Sequence, residues 1–491
     1  MNTLAANLVR FGKSFRSEPK ASLTAPESLV GPEPKDYTVL VYADGRDGLA
    51  PSTLRALNEL EAVGSSERVN LVAQVTSQAS LRDRHLAQLG AMPTRTYYLQ
   101  HDESEHVTSP VVREQSQASL EDFVRWGVEK FPAKHYVLII KQHGMGFSAS
   151  GKAPMSARQM NAQLERALGD KKLDVIAMDS CQMMQTEVGY QLRGRAEVLT
   201  GSPESIWARE YPYRTLAGSI ERLAQLPAES QTGARLGQII TRIHEKEVPQ
   251  GIQTAVDLGA MQKFGGSLQE LVDTIVDHKV SPERVYTQLM RSQSLDPGHM
   301  DSISYNFRDL GSFLKGLHQD EQLPDQVRAK AAEARQNLQH TTLAHYISDK
   351  WKSVKTSTGP TAYLPWAHPG QASLDSYQNL DFARDTGWDK LIDYVFSGAP
   401  QPEKSTGSPL SPAKLALRTY KQFIAPYDSS ACPYTPSCSQ YAREAVETHG
   451  LIEGGQHALM RLVGCSGPGG GGADPVPPAH RDDHAHHHHH H

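Results

Sequence analysis

Two residues in this chain have the type and setting for covalent chemistry, Cys181 and His143. Cys181 is the only cysteine in the first 431 residues, and it ends the apolar run LDVIAMDSC (Leu173–Cys181). His143 ends a second such run, HYVLIIKQH, and is followed by Gly144. A free thiol has a pKa near 8.5 and attacks as the thiolate, so it needs a base at neutral pH. An imidazole can take that proton and return it to a leaving amine. A glycine beside the histidine lets a substrate approach closely, and its N–H with that of Cys181 could form an oxyanion hole. The plainer reading of Cys181 is a small buried hydrophobe, which describes most free cysteines. Asp179, two residues before the thiol, reads on its own as a cap on the turn leaving the strand.

The elements that must carry these residues alternate along the chain. Apolar runs at Tyr37–Ala43, Val69–Val75, Thr94–Leu99, His135–Lys141, Leu173–Met178 and Ala196–Ser202 read as strands. Helical periodicity covers Pro51–Val63, Ser119–Phe131 (with Ser119 as N-cap) and Ala157–Leu168. Continuous apolar strands separated by helices predict a parallel sheet covered on both faces. Ligands of such sheets bind beyond the carboxyl ends of the strands. The stretch between His143 and Cys181 has room for one crossover helix, so the two can sit on one sheet edge. Residues 215–350 read as mostly helical, Thr361–Trp366 as one more strand and Trp388–Phe396 as a helix. Met183 and Met184 read as core.

With these residues in place, the large domain resembles the clostripain-like cysteine peptidases of the caspase–gingipain–legumain fold group. The resemblance rests on VLVYADGRDGL, FPAKHYVLIIKQHGMGF, DVIAMDSCQMMQTEV, GSPESIW with the following YPY (Tyr211–Tyr213), TSTGPTAYLPWA and YQNLDFARDTGWDKLIDYVF. It implies a caspase-like three-layer α/β sandwich with a mostly parallel sheet and helical insertions. It also implies His143 as general base, Cys181 as nucleophile, and cleavage after Arg or Lys with Asp179 in the S1 pocket. Glu204 is a second candidate for that pocket. Family members often cut themselves between the histidine and cysteine strands, where Lys152 and Arg158 are the candidates here. Some relatives require calcium, although no acidic cluster in this sequence reads as a calcium site; no cofactor is expected.

The composition is that of a soluble globular protein, with 491 residues, 38% hydrophobic, 21% charged and net charge −5. That balance gives no reason to expect nucleic acid as a partner. His486–His491 is a purification tag and inflates the histidine count. No apolar run approaches 18 residues, so no transmembrane helix is expected. Met1, Leu4, Ala5, Leu8, Phe11 and Phe15 recur at helical spacing with Arg10, Lys13 and Arg16 between them. That stretch reads as a helix packed on the domain or lying on a membrane surface. Scarce cysteines point to a reducing compartment, hence a cytoplasmic location.

The expected divisions are 1–35, an N-terminal segment and linker; 36–397, the peptidase domain; 398–411, a linker; 412–478, a small domain; and 479–491, the tail. The small domain, through YTPSCSQYA (Tyr434–Ala442), Cys465 and GGADPVP (Gly471–Pro477), resembles YidD, the membrane protein insertion efficiency factor. This resemblance implies a protein at the cytoplasmic face of the bacterial inner membrane, and hence a membrane surface or a regulatory protein as partner. Its charges cancel here: Lys414, Arg418, Lys421, Arg443 and Arg461 against Asp428, Glu444, Glu447, Glu453 and Asp474. Cys432, Cys438 and Cys465 read as structural thiols, as one disulfide with a spare, or, less well by spacing, as zinc ligands with His449. The leading expectation is a cysteine endopeptidase acting on proteins or peptides with a basic P1 residue. The alternatives are a membrane-associated insertion factor with an inert peptidase fold, and a partner-triggered protease of a stress or defence pathway.

Overall fold

The structure is a computed structural model. It describes residues 23–46, 48–76, 94–117, 119–147, 155–204, 206, 211–249, 251–294, 306–348, 357–366 and 368–397, together with 434, 435, 441, 445, 472 and 473. The N-terminal amphipathic stretch, Lys152, Cys432, Cys438, His449 and Cys465 lie outside the described residues.

Five parallel strands form the centre of the sheet. They are β1 (Lys35–Asp44), β2 (Val69–Thr76), β5 (Ala133–Lys141), β6 (Leu173–Asp179) and β7 (Ala196–Gly201). Strands β3 (Thr94–Tyr98) and β4 (Val111–Gln115) extend one side antiparallel. Strands β8 (Ile252–Asp257) and β10 (Thr342–Ile347) extend the other. Among the described residues the order is β10-β8-β7-β6-β5-β1-β2-β3-β4. The mostly helical reading of 215–350 missed β8 and β10, because their short runs carry Gln253, Thr254 and His345 and lack a continuous apolar signal. Thr361–Tyr363 (β11) is a strand, as expected, but it pairs with β9 (Phe307–Asp309) apart from the main sheet.

Strand alternation sorts the side chains of the sheet into two cores. Leu138, Ile140, Ile176 and Met178 face one side, with the helices α2 (Leu120–Lys130) and α3 (Ala157–Leu168) over them. Val137, Ile139, Val175 and Ala177 face the other, with α1 (Ala50–Glu61) between β1 and β2, α5 (Tyr213–Ala224) and α6 (Gly233–Glu247). All eight strand residues are buried. At about 1.5–3 kcal/mol for each fully buried large aliphatic side chain, these alternating rows fix the register of β5 against β6. Sequence-visible caps set the helix starts. Ser119 accepts the Asp122 N–H at the head of α2, and Ser156 with Gln159 forms a reciprocal capping box at the head of α3.

A helical layer is added to the first core by α4 (Thr186–Leu192), α7 (Met261–Asp277), α8 (Pro282–Arg291), α9 (Leu310–Gln319), α10 (Asp325–Thr341), α11 (Gln371–Tyr377), α12 (Asp381–Thr386) and α13 (Trp388–Ser397). Among the described residues, no helix is long and apolar enough to cross a membrane. In the small C-terminal unit, Tyr434–Thr435 pairs in parallel with Gly472–Ala473, and Tyr441 and Ala445 are buried.

Glu187, on α4, ties that helix to β11 and α11. Its Oε1 accepts the Tyr363 N–H at 2.7 Å and the Tyr377 hydroxyl at 2.8 Å. Burial pushes the Glu187 carboxyl up to about 7, against the pull of those hydrogen bonds. Between its ordinary value of 4.5 and about 7, the folded chain therefore holds a proton that the unfolded chain has released. Folding stability contributed at this site falls as pH rises through that window. Glu187→Gln removes the titration. In thermal unfolding, the melting temperature of the wild type relative to the variant is expected to fall between pH 4.5 and 7 and level off above it. Parallel pH profiles for the two chains would contradict the assignment.

Candidate active site

Lys141 and Asp179, the last residues of β5 and β6, are register partners on adjacent parallel strands. Each stands two positions before one of the reactive residues, Lys141 before His143 and Asp179 before Cys181. The two strand exits stay together beyond the ladder. A Cβ placed on Gly144 would lie 2.1 Å from the Cys181 carbonyl oxygen and 2.8 Å from its nitrogen, so only glycine fits there. The Ser180 hydroxyl donates to the Ile140 carbonyl at 3.2 Å, a further tie between the exits. His143 is half-buried at this edge.

The chain turns sharply after the thiol. Gln182 holds a left-handed conformation at φ +59°, a conformation that costs a non-glycine residue about 1–2 kcal/mol. Backbone hydrogen bonds hold the turn: Gln182 N–H donates to the Glu204 carbonyl at 2.9 Å, and Met184 N–H donates to the Ser202 carbonyl at 3.1 Å. Thr361 N–H donates to the Met184 carbonyl on the other side at 3.2 Å. Met183 and Met184 are fully buried, as their sequence setting suggested. On the histidine side, Gln185 Oε1 accepts the Phe147 N–H at 3.0 Å. The Phe147 ring packs edge-on against Phe307, Tyr363 and Tyr377, directly above the Glu187 anchor. The histidine loop is thus tied to the segment after Cys181 as well as to the aromatic group around Phe147.

Cys181 is free, and Ile206 brackets its sulfur. The Ile206 N–H donates to Sγ at 3.3 Å, and the thiol donates to the Ile206 carbonyl at 3.7 Å. Burial pushes the Cys181 thiol up; the Ile206 N–H pulls it down, and the negative charges of Asp179 and Glu204 push it further up. Burial and the two acids together favour the protonated thiol over the thiolate. The same electrostatics put both candidate pocket acids within interaction range of the sulfur.

Asp179 carries partners that the sequence reading did not anticipate. Its Oδ2 accepts Lys141 Nζ at 2.8 Å and the Tyr213 hydroxyl at 2.8 Å, while Oδ1 makes no hydrogen bond among the described residues. Both members of the ion pair are buried, and removing one partner of such a pair costs roughly 3–5 kcal/mol. Tyr213 begins α5, so the second core face reaches up to the site. Glu204 is buried too, and its N–H donates to the Ser202 hydroxyl. Arg158 is exposed in the first turn of α3. A signal for Lys141 was present in the sequence: an ammonium closing the apolar run VLIIK needs a counter-charge, and Asp179 stands at the matching offset on the next strand. Gln185, Ile206 and Tyr213 lie in the motif blocks that carry the family resemblance, but only the fold shows which atoms they meet. Among the described residues, no group of three or more His, Cys, Asp or Glu side chains is arranged to hold a metal.

A parallel α/β sheet with a bracketed cysteine at its carboxyl edge and a histidine at the exit of the adjoining strand defines the cysteine-peptidase class. Residues 41–395 match the clostripain family, and the chain belongs to that family. In fold, it is similar to a secreted C11 cysteine protease from Bacteroides thetaiotaomicron solved with an irreversible peptide inhibitor. The TM-score is 0.54 at 16% identity, covering 72% of this chain and 99% of that one. It is also similar to an inactive zymogen C11 protease from Parabacteroides distasonis, with TM-score 0.52 at 18% identity, covering 73% and 99%. Residues 411–477 match the YidD family, described as a putative membrane protein insertion efficiency factor. That segment is 49% identical over 51 residues to the protein of this description from Rubrobacter xylanophilus, covering 10% of this chain and 73% of the relative. With the Stutzerimonas stutzeri counterpart it shares 50% identity over 57 residues, 11% of this chain and 70% of the relative.

The contact between Gly144 and Cys181 yields a test. Gly144→Ala forces the two exits apart, and misplacing reacting groups by about 1 Å can cost 10²-fold in rate. The variant is expected to fold, because the change lies at the loop edge of the sheet, and to lose about 10²-fold or more in kcat/KM. Peptidase kinetics beside a thermal melt check this; near-wild-type turnover would show that the exits are not held as described.

Proposed function

We propose that this chain is a cysteine endopeptidase that cuts after Arg or Lys, with Cys181 as nucleophile and His143 as general base. The observation that carries the reading is the backbone contact of Gly144 with Cys181 at the ends of registered parallel strands, in a chain of the clostripain family. His143 takes the thiol proton as Sγ attacks the scissile carbonyl, forming the C–S bond. The Gly144 and Cys181 N–H groups receive the oxyanion. Collapse of the intermediate breaks the C–N bond, and the imidazolium gives its proton to the leaving amine. Water, deprotonated by the same imidazole, then hydrolyses the thioester and frees the thiol. Asp179 and Glu204, the two acids that interact with the sulfur, supply the preference for a positive P1 side chain.

The bracketing of Sγ by Ile206 supports a chain held in check until a partner or a cut rearranges that segment. Of the two expected self-cleavage positions, Lys152 is the better candidate. Arg158 sits in a capped helical turn, and a peptidase cleft takes extended backbone. Fluorogenic peptides ending in Arg or Lys are expected to be cleaved by the wild type and not by Cys181→Ala or His143→Ala. Mass spectrometry of the same preparations should find fragments ending at Lys152 in the wild type alone. Undiminished turnover by Cys181→Ala would end this reading, as would wild-type cleavage confined to neutral or acidic P1 residues for its specificity.

The unit at 412–478, set apart from the peptidase domain at 36–397, brings the enzyme to the cytoplasmic face of the inner membrane. Its relatives, described as putative membrane protein insertion efficiency factors, support this role. Its balanced charges predict attachment through apolar surface or a protein partner, with little dependence on anionic lipid. In flotation with phosphatidylethanolamine–phosphatidylglycerol vesicles, the full-length Cys181→Ala chain is expected to float at both low and high salt. The same chain ending at Ser411 should stay in the dense fraction. Equal behaviour of the two chains would remove the membrane assignment.

A further inference from the structure

Lys141 has no role in the chemistry proposed above, although it pairs with the acid two residues before the thiol. It is a buried ammonium at the carboxyl edge of the sheet, and among the described residues its Nζ makes a single hydrogen bond, to Asp179 Oδ2. A fully satisfied ammonium uses three donors. The carboxylate it meets is also half-used, with both of its hydrogen bonds on Oδ2 and none on Oδ1. The ammonium also lies over the face of the Tyr213 ring, 5.9 Å from its centre, so Tyr213 contacts both members of the pair while, among the described residues, Asp179 Oδ1 is left open to a further donor.

The place of the pair explains what it faces. Lys141 and Asp179 are register partners, and the reactive residues follow each by two positions. Two strand residues span roughly 6.6 Å, so the pair lies about that far below the attacking sulfur along the strands. An arginine or lysine side chain has a similar reach from its own backbone. A P1 side chain running back from the scissile carbonyl on this face would bring its cation to Asp179 Oδ1, beside an ammonium already on Oδ2. Tyr213 closes the far side of the same oxygen, which keeps the carboxylate from swinging away from Lys141.

We infer that Lys141 is a specificity-determining residue, an internal cation that competes with a basic P1 side chain for Asp179 and so sets how strongly the enzyme prefers Arg or Lys over a neutral residue. The inference rests on the reading of Asp179 as a P1-binding acid. With Lys141 present, a guanidinium gains one carboxylate oxygen but meets a like charge. Without Lys141 it gains the whole carboxylate. A hydrogen bond to a charged group contributes enough to move such a preference by roughly tenfold.

The test measures binding in the full-length Cys181→Ala background, which keeps the chain intact and needs no turnover. Fluorescein-labelled peptide amides ending in Arg are compared with the same peptides ending in citrulline, its uncharged counterpart, by fluorescence anisotropy. Lys141→Met is expected to raise the Arg-over-citrulline preference about tenfold. Asp179→Asn alone should depress it most, since it leaves the ammonium uncompensated. Lys141→Met added to Asp179→Asn should recover about tenfold, and this comparison holds even if Lys141→Met alone does not fold. A preference that Lys141→Met leaves unchanged in both backgrounds overturns the inference. Turnover by the Cys181 chain separates this from the proposed function. If only Lys141→Met cleaves after Arg, the basic specificity of the natural enzyme fails while the role of Lys141 stands. If the wild type cleaves after Arg and the preference ignores Lys141, the reverse holds.

Discussion

The site depends on one constraint, the in-register parallel pairing of β5 with β6. Alternating rows of Val137, Ile139 and Leu138, Ile140 against Val175, Ala177 and Ile176, Met178 bury both faces, so a one-residue slip would turn each row toward the wrong core. That register puts Lys141 beside Asp179 and carries Gly144 into contact with Cys181. Catalytic geometry here follows from packing free energy in the sheet rather than from bonds within the site. Ser202, Glu204 and Thr361 then hold the turn after Cys181, and Gln185 at the end of that turn ties it to the loop after His143.

The sequence made the frame legible where periodicity is strong. The strands ending at Lys141 and Asp179, the crossover helix Ala157–Leu168 and its Ser156 boundary all follow from apolar patterning and capping chemistry. The flanking strands β4, β8 and β10 did not, because their short runs are broken by polar residues such as Arg113, Gln253, Thr254 and His345. Cys181, His143 and Gly144 stood out because each is an unusual residue at the end of an apolar run. Asp179 stood out for the same reason, but its partners did not. Tyr213 is 34 residues further along the chain, and only the packing of α5 on the second face brings it to the carboxylate. Long-range contacts of this kind leave no local pattern to read.

The electrostatics of the edge combine two opposing demands. Burial holds the Cys181 thiol protonated, and the negative charges of Asp179 and Glu204 add to that effect. On the proposed reading, the same two acids favour a positive P1 side chain.

The most direct measurement is the structure of the chain captured by a peptidyl-arginine chloromethyl ketone, which alkylates an active-site nucleophile. The account predicts a thioether at Cys181 Sγ, the ketone oxygen within hydrogen-bond reach of the Gly144 and Cys181 N–H groups, and the guanidinium against Asp179 Oδ1 with Lys141 still on Oδ2. A modified residue other than Cys181 or His143, or a guanidinium directed to solvent away from Asp179, would contradict it.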